Sequence, residues 1–365
     1  MIWRGWRRCV RVCVIRSLHR LWLTANALPD ISKRPSALCG KIGSNKKTEA
    51  GSARMKTKIA IVLKIDTFIG DIREHLSEQF DVQVFRVDTV SDLEKAIIWG
   101  DVIWFEFCDN LFIQAINKNL SNFGKRVICR WHRYEITDMP YPNKVDWTCV
   151  DDLILVSNDM KRVMLEKVPD LEQKTRVSVV GNGLDFDRYA ESDALDRFKI
   201  AWVAKPIIRK NPMMALQILH KLVTVDERYE MHFAGGFEPR IIGPHMKHIV
   251  ERLGLQKNAF FNNWIEDMPA FYADKGIVLS TSVHESFGYN IAEGMAVGAF
   301  PAVYDYIGAD EFWPDDIRFA SVDRAAEMIA DAELHQWRDY AVTHFGIADK
   351  LQELDAVIGQ YARAA

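Results

Sequence analysis

Two glutamates, Glu285 and Glu293, flank an expected helix start in the stretch IVLSTSVHESFGYNIAEGMAVGAFPAVY, residues 277–304. Carboxylates in such a place can accept hydrogen bonds from sugar hydroxyls, which apolar side chains cannot do. Between them, the backbone N–H groups of residues 286–290 stand at the positive end of a helix dipole, without partners inside the helix, a setting that suits a phosphate. Upstream, AWVAKPIIRKNP (201–212) brings Lys205, Arg209 and Lys210 close together. Breaking a sugar–phosphate bond drives negative charge onto a diphosphate leaving group, and fixed cations can stabilise that charge where no metal does. Neither Asp-Asp pair offers a metal clamp: Asp151-Asp152 runs into a strand and Asp315-Asp316 follows Pro314, so both lack the loop a clamp needs. On spacing alone two glutamates eight residues apart are common surface residues, and an exposed basic loop is the plain alternative for the lysines. The surrounding elements decide.

Residues 277–280 form an apolar, β-branched strand, 281–285 a polar loop and 289–297 a short helix. Gly298 stands where a helix C-terminal glycine belongs, and Pro301 follows where no helix continues. From Lys58 onward, short β-rich runs alternate with helical patterns. The first series is 59–63, 82–87, 102–107, 126–131, 153–156 and 177–180; the second is 200–203, 229–234, 259–262, 277–280, 300–303 and 318–320. Two such series predict two doubly wound parallel sheets, with the break near 183–196 where polar and acidic residues replace the apolar runs. A cleft between two domains is the natural ligand site.

The Glu-x7-Glu pair followed by Gly-x-x-Pro resembles the donor-site signature of retaining GT-B glycosyltransferases of the family 4 type, the glycosyl transferases group 1. VVGNGLDFDRY (179–189) is similar to the segment that leads out of the family's first domain, with Asn182, Gly183 and Asp185 in place. Residues 201–212 are similar to its diphosphate-holding segment, with Lys205 and Lys210 at the two basic positions and Ala204-Lys205 where Gly-Arg is commoner. MHFAGG (231–236) and AFFNNWIEDMPAFY (259–272) follow in family order, with Asn263 at a position more often glycine. The resemblance runs from about Lys58 to the C-terminus, densest in the second half.

That resemblance implies a GT-B fold: two Rossmann-like, doubly wound parallel-sheet domains facing a cleft, with a C-terminal helix returning to the first. It implies transfer of a sugar, with retention, from a nucleotide diphosphate sugar to a hydroxyl acceptor. In it Glu293 holds the ribose, Glu285 contacts the donor sugar near the reacting carbon, and Ser286, Phe287, Gly288 and Tyr289 offer backbone amides. Lys205 and Lys210 hold the diphosphate, so Glu285, Lys210 and His132, in CRWHRYE, are the catalytic candidates. Gly70, Gly235, Trp264 and Ile265 are expected around the donor. No cofactor or metal is expected, and the leaving diphosphate itself helps take the acceptor proton. A nucleotide-sugar epimerase or hydrolase on this fold, or a non-catalytic sugar-binding subunit, are the alternatives.

Net charge divides the chain. Residues 1–58 hold 14 Lys and Arg against 2 acidic residues, leaving 33 against 48 for the remainder. Residues 1–54 read as a basic leader, disordered or upstream of the true start at Met55, with an organelle transit peptide as the rival reading. The expected domains are 55–188 (acceptor side), 189–338 (nucleotide-sugar side) and a helical segment, 339–365, returning to the first domain. The acidic body argues against nucleic acid as a partner. Six cysteines without a Cys-x-x-Cys pair read as reduced thiols. No run is long enough to span a bilayer, so a cytoplasmic enzyme is expected, with at most peripheral contact at the inner face of the membrane. A glycan, lipid-linked or other hydroxyl compound is the expected acceptor, in glycan or cell-envelope polysaccharide synthesis.

Overall fold

The computed structural model describes residues 56–66, 68–236 and 241–362; the leader expected over 1–54 lies outside them. All twelve expected strands are present. The first six, β1 (Lys58–Leu63), β2 (Asp81–Arg86), β3 (Val102–Glu106), β4 (Arg126–Trp131), β5 (Asp152–Leu155) and β6 (Arg176–Val179), form a sheet in the order β2-β1-β3-β4-β5-β6. The second six, β7 (Asp196–Val203), β8 (Glu230–Ala234), β9 (Ala259–Asn262), β10 (Lys275–Ser280), β11 (Phe300–Tyr304) and β12 (Arg318–Phe319), take the order β12-β11-β10-β7-β8-β9. Every pairing is parallel.

The central strands β1, β3 and β10 are apolar and buried because helices cover both faces, whereas the edge strand β2 alternates exposed and half-buried residues. In the first sheet Ala60, Val62, Ile103, Phe105, Cys129 and Trp131 point to one core, and Ile59, Ile61, Leu63, Trp104 and Ile128 to the other, as a two-residue period requires. Strand order reverses between β1 and β3 and between β7 and β10. Such switch points open a crevice beyond the carboxyl ends of the strands. The loops after β7 and β10, which carry Lys210 and Glu285, therefore meet over the second sheet.

The C-terminal segment divides more finely than expected over 339–365. The helix Arg338–Phe345 packs through Ala341 and Phe345 into the second domain's core, beside Phe287 and Trp313. Only the next helix, Ile347–Ile358, crosses over and buries Leu354 and Ile358 against the first sheet. Each such side chain is worth about 1.5–3 kcal/mol of burial, which holds the helix to a domain distant in sequence. The crossing runs beside the linker: Leu184 N donates to Phe345 O at 2.8 Å and Ile347 N to Leu184 O at 3.1 Å, forming a parallel bridge between Leu184 and Gly346. Gly183 permits this approach, since a Cβ there would lie 2.7 Å from Ile347 Cα.

Candidate active site in the interdomain cleft

Loop-to-loop bonds build the second domain's half of the site. Thr281 Oγ1 accepts from Trp202 Nε1 and donates to Lys210 O, both at 2.9 Å, and Val283 N donates to Arg209 O at 2.9 Å. Pro212 then opens the helix Pro212–Val225, where its missing N–H costs nothing. The segment bearing Arg209 and Lys210 is thereby strapped to the loop bearing Glu285. Lys210 Nζ pairs with Glu285 Oε1, and Arg209 Nη1 lies 2.9 Å from Oε2. Burial works to raise the Glu285 pKa, but the Lys210 and Arg209 charges outweigh it and hold the carboxyl below its ordinary value. For Lys210, burial prevails over the Glu285 charge, and its pKa is lowered.

Gly288 precedes the helix Tyr289–Ala296, and the first N–H groups of a helix lack internal partners. Ser286, Phe287, Gly288, Tyr289 and Asn290 line one cavity of about 390 Å³ together with Arg209, Lys210 and Glu285. Glu293, one helical turn further, accepts from Tyr189 OH at 3.0 Å and Tyr272 OH at 3.3 Å. Burial raises its pKa against those two phenol bonds.

A second cavity of about 530 Å³ lies toward the interdomain crossing, lined by Gly70, Asn182, Gly183 and Lys350 among others. Phe68, Asn182, Tyr289 and Glu293 border both cavities. Phe68 of the first domain stacks on Tyr289 of the second, ring centroids 5.0 Å apart and planes 7° from parallel. This stack partitions a single cleft.

His132 follows β4 and lines the same cavity as Glu285, with its ring stacked on Phe107 at 4.0 Å. Its Nε2–H donates to Glu106 Oε1 at 2.7 Å, an assignment that follows from a neutral ring facing an ionised carboxylate. Glu106 Oε1 also accepts from Arg130 Nη1 at 2.7 Å and Oε2 from Trp104 Nε1 at 3.0 Å, while Arg130 Nη2 donates to Asn182 Oδ1 at 2.6 Å. Burial lowers the His132 pKa, and the Arg130 charge adds to it against the Glu106 bond. The neutral ring is thereby favoured, and with Nε2–H committed to Glu106 its Nδ1 is left as an acceptor. Glu106 is favoured in its charged form because Arg130 and His132 overcome its burial. Below this network, burial pushes the Glu135 pKa up to about 8, and one of its oxygens, Oε1, has no partner.

The structure thus brings Glu285, Lys210, His132, Ser286, Phe287, Gly288, Tyr289 and Glu293 to one cavity and Gly70 to its neighbour. Lys205, Gly235, Trp264 and Ile265 line neither. Lys205 is exposed, and Trp264 is 76% exposed after β9. Gly235, at φ 139°, has a packing role: a Cβ there would sit 2.3 Å from Ala204 O. Glu106 escaped sequence reasoning, although a single acid closing the apolar run VIWFE was a usable signal. The phenols of Tyr189 and Tyr272 gave none. Among the described residues no group of three or more His, Cys, Asp or Glu side chains could hold a metal ion, and no helix is long and apolar enough to cross a membrane.

Two parallel six-stranded α/β domains facing a cleft, with a C-terminal helix crossing back, define the GT-B architecture. Residues 185–333 match the family model for glycosyl transferases group 1, covering most of the second domain. No curated protein matches the sequence. Among solved structures, Anabaena HepE in complex with UDP aligns with a TM-score of 0.67 at 14% identity, over 84% of this chain and 100% of that one. Sucrose-phosphate synthase from Thermosynechococcus elongatus aligns at 0.63 and 13% identity, over 83% and 98%. A glycosyltransferase from Rickettsia africae gives 0.58 and 14%, over 84% and 98%. At such identities the likeness is one of fold.

Proposed function

We propose that the chain transfers a sugar from a nucleoside diphosphate sugar to a hydroxyl acceptor, with retention at the anomeric carbon and without a metal. The observation that carries this reading is the Lys210–Glu285–Arg209 group beside the open start of the helix Tyr289–Ala296, with Glu293 in the same wall. Diphosphate oxygens suit the lysine and the backbone N–H groups, and the glutamates suit ribose and sugar hydroxyls. As the C1–O bond to phosphate breaks, its electron pair stays on the diphosphate, facing Lys210. The acceptor oxygen bonds to C1 from the same face and passes its proton to a leaving phosphate oxygen, so no separate base is needed. His132, neutral, offers Nδ1 to a donor-sugar hydroxyl. The acceptor is a glycan, lipid-linked or other hydroxyl compound met on the first domain's side, and the work is cytoplasmic, at most peripheral to the inner face of a membrane.

Solved structures of Anabaena HepE hold UDP and UDP-glucose, so UDP-glucose is the first donor to test, followed by GDP and ADP sugars. Product anomers followed by NMR should retain the donor's configuration, and EDTA should leave the rate unchanged. An inverted product, epimerised donor without acceptor, or a strict Mg²⁺ requirement would each overturn part of the reading.

A further inference from the structure

The geometry points to a three-cation grip on the donor diphosphate that spans the cleft: Arg133 from the first domain, with Arg209 and Lys210 from the second. This rests on the diphosphate reading above and adds two residues to it. All three line the same cavity as Glu285, whereas Lys205, the second basic residue expected there, does not.

Arg133 is held for such a task. Its side chain is only 10% exposed. Nη1 and Nη2 each donate to the Asp138 carboxylate at 2.7 Å, and Nη1 also donates to Thr137 Oγ1 at 2.8 Å. That fork fixes the plane of the guanidinium, and these contacts use only part of its five N–H donors. Arg209 is fixed in the same way, by His284 O at 2.9 Å and by Glu285.

The three cations share one electrostatic environment. Besides burial, the charges of Arg209 and Arg133 lower the Lys210 pKa, and Arg209 adds to the stronger effect of Arg133 in lowering that of Asp138. Charges from opposite domains therefore act on one another across the gap. Glu285 and Asp138 make the direct ion pairs with three cations that repel each other, and a multiply charged anion entering the cavity relieves that repulsion. Planar guanidinium forks match phosphate oxygens well.

Calorimetry with inorganic pyrophosphate and with UDP, GDP and ADP tests the proposal on the full chain. Arg133→Gln and Arg209→Gln should each weaken pyrophosphate and the preferred nucleoside diphosphate about tenfold, with melting temperatures little changed, because Asp138 is 43% exposed and can be hydrated and Glu285 keeps its pairing with Lys210. Arg133→Lys should recover part of the loss. If Arg133→Gln binds both anions as tightly as wild type, Arg133 serves Asp138 alone and the grip is refuted. If Lys210→Ala loses affinity while both arginine variants keep it, the diphosphate reading stands and only this inference falls. Wild type that binds no anion at all brings down both.

Discussion

At the cleft the first domain presents Glu106, Arg130 and His132 with side chains 1%, 4% and 5% exposed, whereas the second presents Glu285, Lys210 and Arg209 at 13%, 18% and 26%. Both sets are ion pairs, but they are paired to different ends. The first is closed: Glu106 meets Arg130, His132 and Trp104, and Arg130 meets Asn182. It shapes one wall and fixes an imidazole. The second remains open to whatever fills the cavity, and its pairing is an arrangement that a stronger anion can exchange. Burial depth thus distinguishes charge that builds a site from charge that works in it.

The largest effect should come from the closed set. Glu106→Ala leaves Arg130 buried without its carboxylate, and loss of one partner of a buried pair costs about 3–5 kcal/mol. Chemical denaturation should show that loss; a variant of wild-type stability that is merely inactive would make the network catalytic and break the contrast. For the open set, Lys210→Ala should lower kcat about 100-fold or more while unfolding little changed, because the charge it faces develops as the bond breaks. Glu285→Gln should likewise abolish turnover and leave the bare nucleoside diphosphate bound.

A pH experiment sharpens the same division. The Glu135 pKa is about 8 in the fold, above its unfolded value, so its neutral form favours folding. That contribution is complete below the unfolded pKa of about 4.3 and fades as pH rises toward 8, amounting to about 2 kcal/mol lost between pH 6 and 8. Glu135→Gln should flatten this slope in denaturation curves; an unaltered slope would place the titration elsewhere. The smallest effect belongs to Glu293→Ala, expected to raise KM for the donor about tenfold with kcat nearly intact, since ribose contacts are equal in ground and transition states. A fall in kcat alone would move Glu293 to the reacting centre.

The strands were legible because parallel strands covered on both faces are written as apolar runs, and the shared cavity wall of Glu285, Gly288 and Glu293 because the three lie within nine residues of each other. The match over 185–333 falls on that locally encoded half. The first domain's wall was not legible in this way. Arg130 and Asn182 meet across 52 residues, and His132 meets Glu106 across 26, distances at which no local pattern records a contact. The division of the C-terminal helices was hidden for the same reason: the two are amphipathic alike, and only packing shows that Phe345 joins the second core and Leu354 the first.

The bridge between Leu184 and Gly346 governs how the two halves can move. The chain passes between the domains twice, and the passages run parallel and are hydrogen-bonded, with Gly183 against Ile347. This two-bond bridge ties the passages to each other, so neither can shift at that point without the other. The cleft is thus closed at two places, by backbone at the Leu184–Gly346 crossing and by the Phe68–Tyr289 stack, and it is between such fixed points that Arg133 faces Arg209.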